Sequence, residues 1–352
     1  MSWLNALVRP EILTLKPYAH ATWDPAFTRL HANEWPQRIL NDESGAGLNH
    51  YPEPQPRVLI ARLAELYAVD QSRVLVGRGS DELIDLLVRA FCRADKDAVL
   101  VCPPTFGMYE IAAQIQAAQI VSVPLNRARG FALDTAAVLK ACPNPAVKLL
   151  FLCSPNNPTG NLMAEESILA IAKCVRRQAL VVVDEAYVEF SSRASLVSRL
   201  DEYPNLAVLR TLSKAHGLAG ARVGTLIADS EVIALIRKLI APYATPQPTL
   251  EAVLSLLSPV HLQSLPQRIR EIQRERQHLA QALRTMPSVK EVLPSEANFL
   301  LARFIDPGSA LARANRAKLL IRDVRGQADL EDALRITVGT SAQNARLIEA
   351  WR

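Results

Sequence analysis

A chain of 352 residues, 49% hydrophobic and 21% charged, has material for a large core and fits two domains, or one with a smaller satellite. Its 40 basic and 35 acidic residues leave a net charge of +5, but the basic side chains are dispersed, the densest run (268–276) is broken by Glu271 and Glu275 at helical spacing, and aromatics are only 5%, which together exclude a nucleic-acid track. There is no signal-peptide pattern, no apolar run near the ~20 residues that span a bilayer, and no CxxC spacing among Cys92, Cys102, Cys142, Cys153 and Cys174, so a soluble, cytoplasmic protein with reduced thiols is expected.

From about residue 57 short apolar runs alternate with amphipathic stretches. Residues 73–77 read as a strand, and 80–92 as a helix with Ser80 placed to cap it. Further strands are expected at 98–101, 120–123, 148–152, 179–183, 206–209 and 223–227, with helix-sized segments such as 109–118 and 165–177 between them. Continuous runs such as Leu180-Val181-Val182-Val183 suit strands covered on both faces, the mark of an α/β protein with a mainly parallel sheet flanked by helices. The alternation breaks at the proline-rich 241–248. Beyond it a long helix is expected over 262–284, strands at 298–301 and 334–338, and a terminal helix at 342–351. This predicts a large α/β domain over 30–245 and a smaller α+β domain from 246–352, to which residues 1–29 return.

Ligands of an open parallel sheet bind beyond the carboxyl ends of its strands, so the residues after each strand carry the chemistry. Four such ends deliver Arg78-Gly79-Ser80-Asp81-Glu82, then Ser154-Pro155-Asn156-Asn157, then Asp184-Glu185-Ala186-Tyr187, then Ser213-Lys214 with Arg222 beyond. Gly77 and Gly79 alone are a weak dinucleotide signal, because Glu82 stands where the third glycine belongs. Asp184 has no phosphate-binding loop to make it a nucleotide-site metal ligand, and the six histidines show no paired ligand spacing, so no metal is expected. Taken together, the set meets the needs of pyridoxal 5′-phosphate. Asp184 can hold the pyridine nitrogen protonated, and Asn157 and Tyr187 can donate to the phenolic oxygen. Ser213, Arg222 and the nest of Gly79, Ser80 and Asp81 at a helix start suit the phosphate. Lys214 can form the imine with the aldehyde.

These residues, in this order and spacing, resemble the fold-type-I aminotransferases over nearly the whole chain. Leu30-His31-Ala32-Asn33-Glu34-Trp35-Pro36, His50-Tyr51-Pro52-Glu53, the Gly77–Glu82 and Cys102–Tyr109 stretches, and Leu334-Arg335-Ile336-Thr337-Val338-Gly339 are similar to the histidinol-phosphate aminotransferase family. The resemblance implies that Tyr109 stacks on the cofactor ring and that Tyr51 reaches the cofactor phosphate of the neighbouring subunit of a homodimer. It also implies that Arg335 grips the substrate's anionic end, with Arg322, Tyr18, Asn33 and Asn157 helping to hold the substrate. Alternation supports the role of Arg335, since Leu334, Ile336 and Val338 face one way and Arg335 and Thr337 the other. An arginine pair, Arg335 and Arg322, would accept both the phosphate ester of histidinol phosphate and the carboxylates of glutamate or 2-oxoglutarate. Two positions depart from the family's usual pattern, Trp35 and His216.

The expected reaction is transamination, with Lys214 as proton shuttle. Aromatic amino-acid aminotransferases and amino-acid-phosphate decarboxylases of the same fold share the core motifs and are the alternatives. A nicotinamide-dependent oxidoreductase would leave Asn157, Asp184 and Lys214 unexplained. A regulator that has lost catalysis fits poorly with the intact lysine and with the absence of an added DNA-binding segment.

Overall fold

Runs of Val, Leu and Ile too apolar to face water on either side become the inner strands of a seven-stranded sheet. The computed structural model describes residues 3–24 and 26–352. The sheet is built from β1 (Val74–Gly77), β2 (Ala98–Val101), β3 (Gln119–Ser122), β4 (Val147–Cys153), β5 (Leu180–Asp184), β6 (Leu206–Thr211) and β7 (Gly224–Ala228), in the order β1-β7-β6-β5-β4-β2-β3. All pairings from β3 to β6 are parallel, whereas β7 runs antiparallel to both β6 and β1. The β6–β7 connection carries no crossover helix, so the chain must turn back beside the strand it has just left.

The helices of this part are α1 (Pro10–Thr14), α2 (Arg57–Tyr67), α3 (Ser80–Phe91), α4 (Met108–Ile115), α5 (Thr135–Ala141), α6 (Glu165–Cys174), α7 (Ser230–Arg237) and α8 (Gln247–Leu256). They split into two layers. Leu83, Leu87, Ala112, Val232 and Ile236 of α3, α4 and α7 cover one face of the sheet. Leu59, Leu63, Val138, Ile168 and Ile171 of α2, α5 and α6 cover the other. The second sheet is antiparallel, in the order β10 (Arg322–Asp323), β11 (Ala333–Thr337), β9 (Phe299–Phe304), β8 (Val289–Val292). Its core joins Leu279 and Leu283 of α9 (Pro259–Arg284), Ala310 and Ala314 of α10 (Pro307–Arg316), and Leu347 and Trp351 of α11 (Ser341–Trp351).

The mainly parallel sheet with a smaller α+β part is as the sequence predicts, with strand ends displaced by a residue or two. Leu4, Leu7, Val8 and Ile12 pack into the core beneath α3 and α7, Arg9 N donates to Ala90 O, and Lys238 Nζ donates to Leu13 O, while residues 1, 2 and 25 lie outside those described. Val253 and Leu257 of the segment after 246 sit in the large core. One expectation is corrected. Ser80 does not cap its helix: Gly79, at φ +87°, holds the N-cap position and Ser80 is the first helical residue.

Residues 15–56 form no helix or strand among the described residues, and they expose Tyr18, Phe27, Leu30, Trp35 and Leu40. No helix among the described residues is long and apolar enough to cross a membrane.

Candidate active site

The carboxyl ends of β1, β4, β5 and β6 and the start of β7 open on one cavity of about 480 Å³. The four strand ends singled out from the sequence therefore meet. Its wall includes Ser80, Asp81, Asn157, Asp184, Tyr187, Ser213, Lys214, Arg222, Arg322 and Arg335.

Asp184 ends β5 and is only 2% exposed. It accepts from Tyr109 Oη at 2.7 Å and from Ala186 N at 3.1 Å. Burial pushes its carboxyl above the ordinary range, against the opposing pull of those hydrogen bonds and of Lys214. A carboxylate placed this deep calls for a cation facing it. Tyr187, three residues on, is buried and its phenol is held protonated by burial, so it remains a donor. Its ring lies with its centroid 5.4 Å from Lys214 Nζ. The Lys214 amine is pushed below the ordinary lysine range, first by burial and then by Arg335.

Asn157 is delivered by a turn that its neighbour fastens. The buried Asn156 donates to Pro104 O at 2.9 Å and Thr159 Oγ1 at 2.6 Å, and accepts from Thr105 Oγ1 at 2.9 Å. Arg335 Nη1 donates to Asn157 Oδ1, which leaves the amide's N–H groups for the cavity. Arg335 stands directly across the β10–β11 ladder from Arg322. Both line the cavity. Burial and Arg322 lower the pKa of Arg335, while Tyr187 opposes them.

The helix α3 begins at the cavity, and a cradle is formed by close backbone approach. Arg222, in the left-handed region at φ +53°, donates from Nη2 to Asp81 Oδ2 at 3.0 Å. The Asp81 carboxylate thus holds Arg222 beside the start of α3. A Cβ on Gly224 would lie 2.3 Å from the carbonyl carbon of Gly79 and 2.4 Å from Ser80 N. Only glycine allows β7 to approach the start of α3 this closely. Gly224→Ala is expected to cost about 2–3 kcal/mol in denaturant unfolding and to weaken anion binding at the cradle; parent stability together with parent phosphate affinity would refute this.

Not every predicted residue is brought in. Tyr109 is fully buried, stacks on Phe151 at 4.8 Å with nearly parallel rings, and points its hydroxyl at Asp184 from beneath. Phe106, which the sequence reading missed, lines the cavity. It follows the end of β2, the same kind of position that identified the other site residues. Tyr51, Asn33 and Trp35 line a different cavity of about 560 Å³, and Tyr51 stacks on Tyr243 at 4.5 Å. Tyr18 is 66% exposed, edge-on to His20. Within one chain none of these last four meets the central cavity.

The donor set fits pyridoxal phosphate on this structure's own terms. There is a buried carboxylate without a full countercharge, a phenol and an amide with free donors, an amine of lowered pKa, and a helix start with an arginine. Residues 26–350 match the family model described as "Aminotransferase class I and II". A histidinol-phosphate aminotransferase of Xylella fastidiosa is 46% identical, the likeness covering 98% of this chain and 95% of that one. The one from Xanthomonas axonopodis pv. citri is 48% identical over 91% of this chain and 88% of its own. The solved structure of histidinol-phosphate aminotransferase from Sinorhizobium meliloti in complex with pyridoxal-5′-phosphate superposes with a TM-score of 0.76 at 24% identity, covering 86% of this chain and 82% of that one; at that identity it carries the fold.

Proposed function

The chain belongs to the class I and II aminotransferases, and from that premise we propose that it moves the amino group of L-histidinol phosphate to 2-oxoglutarate with pyridoxal 5′-phosphate, giving imidazole-acetol phosphate and glutamate in histidine biosynthesis. When bound, the cofactor supplies an aldehyde that takes up amines and a protonated ring that accepts the electron pair left when a Cα–H bond breaks.

With the cofactor bound, Lys214 Nζ would take the proton from the substrate's Cα and carry it through the transfer. Its lowered pKa keeps the neutral amine available for this step. Asp184 holds a proton on the pyridine nitrogen, and its own place is set by Tyr109 and the Ala186 amide. Asn157 and Tyr187 donate to the phenolic oxygen, Phe106 covers the ring, and Ser213, Arg222 and the amides opening α3 hold the phosphate. Arg335 and Arg322 take the anionic end of either substrate. Tyr51, exposed and turned away from its own chain's cavity, serves the cofactor phosphate of a second subunit in a cytoplasmic homodimer. Tyr18 and Asn33 belong to the same irregular segment and contact substrate from there.

The observation that carries the reading is the arginine pair across the β10–β11 ladder, facing a cavity with Lys214 and Asp184. Glutamate formed from 2-oxoglutarate and histidinol phosphate by the purified protein tests it. Carbon dioxide release without need of a keto acid would overturn it in favour of a decarboxylase. Arg335→Leu is expected to raise KM for both substrates by about 100-fold, because both lose the same guanidinium fork. A rise for one substrate only would separate the two binding modes.

A further inference from the structure

Behind the cavity, on the opposite side of the strands that form its floor, lies a buried charged cluster that the reaction does not touch. Arg210 is 8% exposed and sits on β6 four residues before Lys214. Its Nη2 donates to Glu189 Oε1 at 2.8 Å, its Nη1 lies 3.6 Å from Glu185 Oε2, and its guanidinium carbon lies 4.8 Å from the centroid of the Tyr67 ring of α2. Glu185 directly follows Asp184, and Glu189 is two residues beyond Tyr187.

Strand alternation explains the layout. Asp184 and Thr211 line the cavity, so their neighbours Glu185 and Arg210 point to the rear, where they meet. Glu185 is held by Ser195 Oγ and by Leu196 N at 2.7 Å, and it in turn holds Arg210. We propose that Arg210 is a positioning residue for the reaction: clamped between Glu185 and Glu189, it locks the strand bearing Lys214 to the turn bearing Asp184 and Tyr187. The two halves of the site come from separate strands, and beyond their backbone ladder this clamp joins them side chain to side chain. Tyr67 and Thr225 interact side chain to side chain within the cluster, and Glu189 Oε2 and Arg210 Nε are buried without a hydrogen-bond partner among the described residues. A guanidinium fork bridges two carboxylates at fixed geometry, which an ammonium cannot do.

This rests on the pyridoxal-phosphate reading of the cavity, so the experiment begins with the parent holoenzyme. A visible band discharged by borohydride secures that reading; a parent without such a band defeats it, whatever Arg210 does. Two variants then test the clamp. Arg210→Lys keeps the charge and loses the fork. Arg210→Met with Glu189→Gln removes one charge of each sign and avoids leaving two buried carboxylates uncompensated. In folded holoenzyme of either variant, kcat is expected to fall about tenfold to a hundredfold while KM changes less than about twofold. The pH midpoint of the visible band is expected to move by about half a unit, because Lys214 sits differently against Asp184 and Tyr187. Parent kcat and parent midpoint in both folded variants overturn the proposal, whatever happens to Tm. Failure of both to fold assigns Arg210 to stability alone and overturns it equally.

Discussion

Lys214→Ala loses turnover, with kcat down by about 10⁴-fold or more, while still binding pyridoxal phosphate. The two halves of this result have separate physical origins. In the proposed reaction Nζ moves the proton from Cα, and nothing else on the cavity wall is an amine of lowered pKa: Tyr187 is pushed up by burial, and Arg335 keeps its charge. The proposed phosphate cradle, by contrast, would be assembled from α3 and Arg222, whose contacts owe nothing to the lysine side chain. Glutamate formation under saturating substrates, with bound cofactor quantified on the same sample, checks both halves. A variant that transaminates at the parent rate would sink the central claim.

Asp184→Asn gives the second largest effect, and its sign depends on whether cofactor is present. In the holoenzyme the substitution removes the charge that holds the ring nitrogen protonated, and kcat is expected to drop on the order of 10³-fold. In the apoprotein the same carboxylate is a liability, because burial raises its pKa above that of the unfolded chain. The native apoprotein therefore binds this proton more tightly than the unfolded one. Its contribution to stability is full at low pH and is lost as pH rises from the ordinary carboxylate range through the raised native value. Apo Asp184→Asn should lack that loss and be more stable than the apo parent at neutral pH by about 1–3 kcal/mol. Adding cofactor should reverse the order, since only the parent gains the ion pair. Thermal unfolding of both proteins, with and without pyridoxal phosphate, across acidic to neutral pH, decides it. An apo variant less stable than the apo parent at neutral pH would contradict the account.

The parts of the site that were legible in the sequence share a cause. Asn157, Asp184 and Lys214 each follow a Val/Leu run, and an apolar run that must be covered on both faces announces a strand end and hence a crevice. Arg335 could be assigned a direction because apolar and polar side chains alternate from Leu334 to Thr337. The hydrogen bond from Tyr109 to Asp184 had no local signal, because a helical pattern identifies α4 but not which way one side chain turns. Helix α3 was found, yet Ser80 was given the cap, because nothing local shows that Gly79 must take a left-handed turn to meet Gly224. Strands β8 and β10 left no trace, since Val-Lys-Glu-Val and Arg-Asp are mostly exposed and carry too little apolar surface to form a pattern. Tyr18, Asn33 and Tyr51 occupy a stretch without helix or strand, where neither period applies, so only the family resemblance points to them. Arg210 read as an ordinary strand residue because its two carboxylate partners are distant in sequence and meet it only across the pleat.

The antiparallel strand β7 has a consequence for how the molecule is made. β1 is the first strand of the large sheet to be synthesised, yet its only strand neighbour among the described residues is β7, which follows about 150 positions later. At ribosomal speed that is a wait of roughly 8–30 s, during which Val74-Leu75-Val76 has no strand beside it. An apolar edge left open for that long invites pairing with another nascent chain. The remaining strands can zip together first, from β2 to β6, and β1 closes the sheet last. The Gly79–Gly224 approach completes at that same moment, so the start of α3 takes its place against β7 only when the sheet is whole.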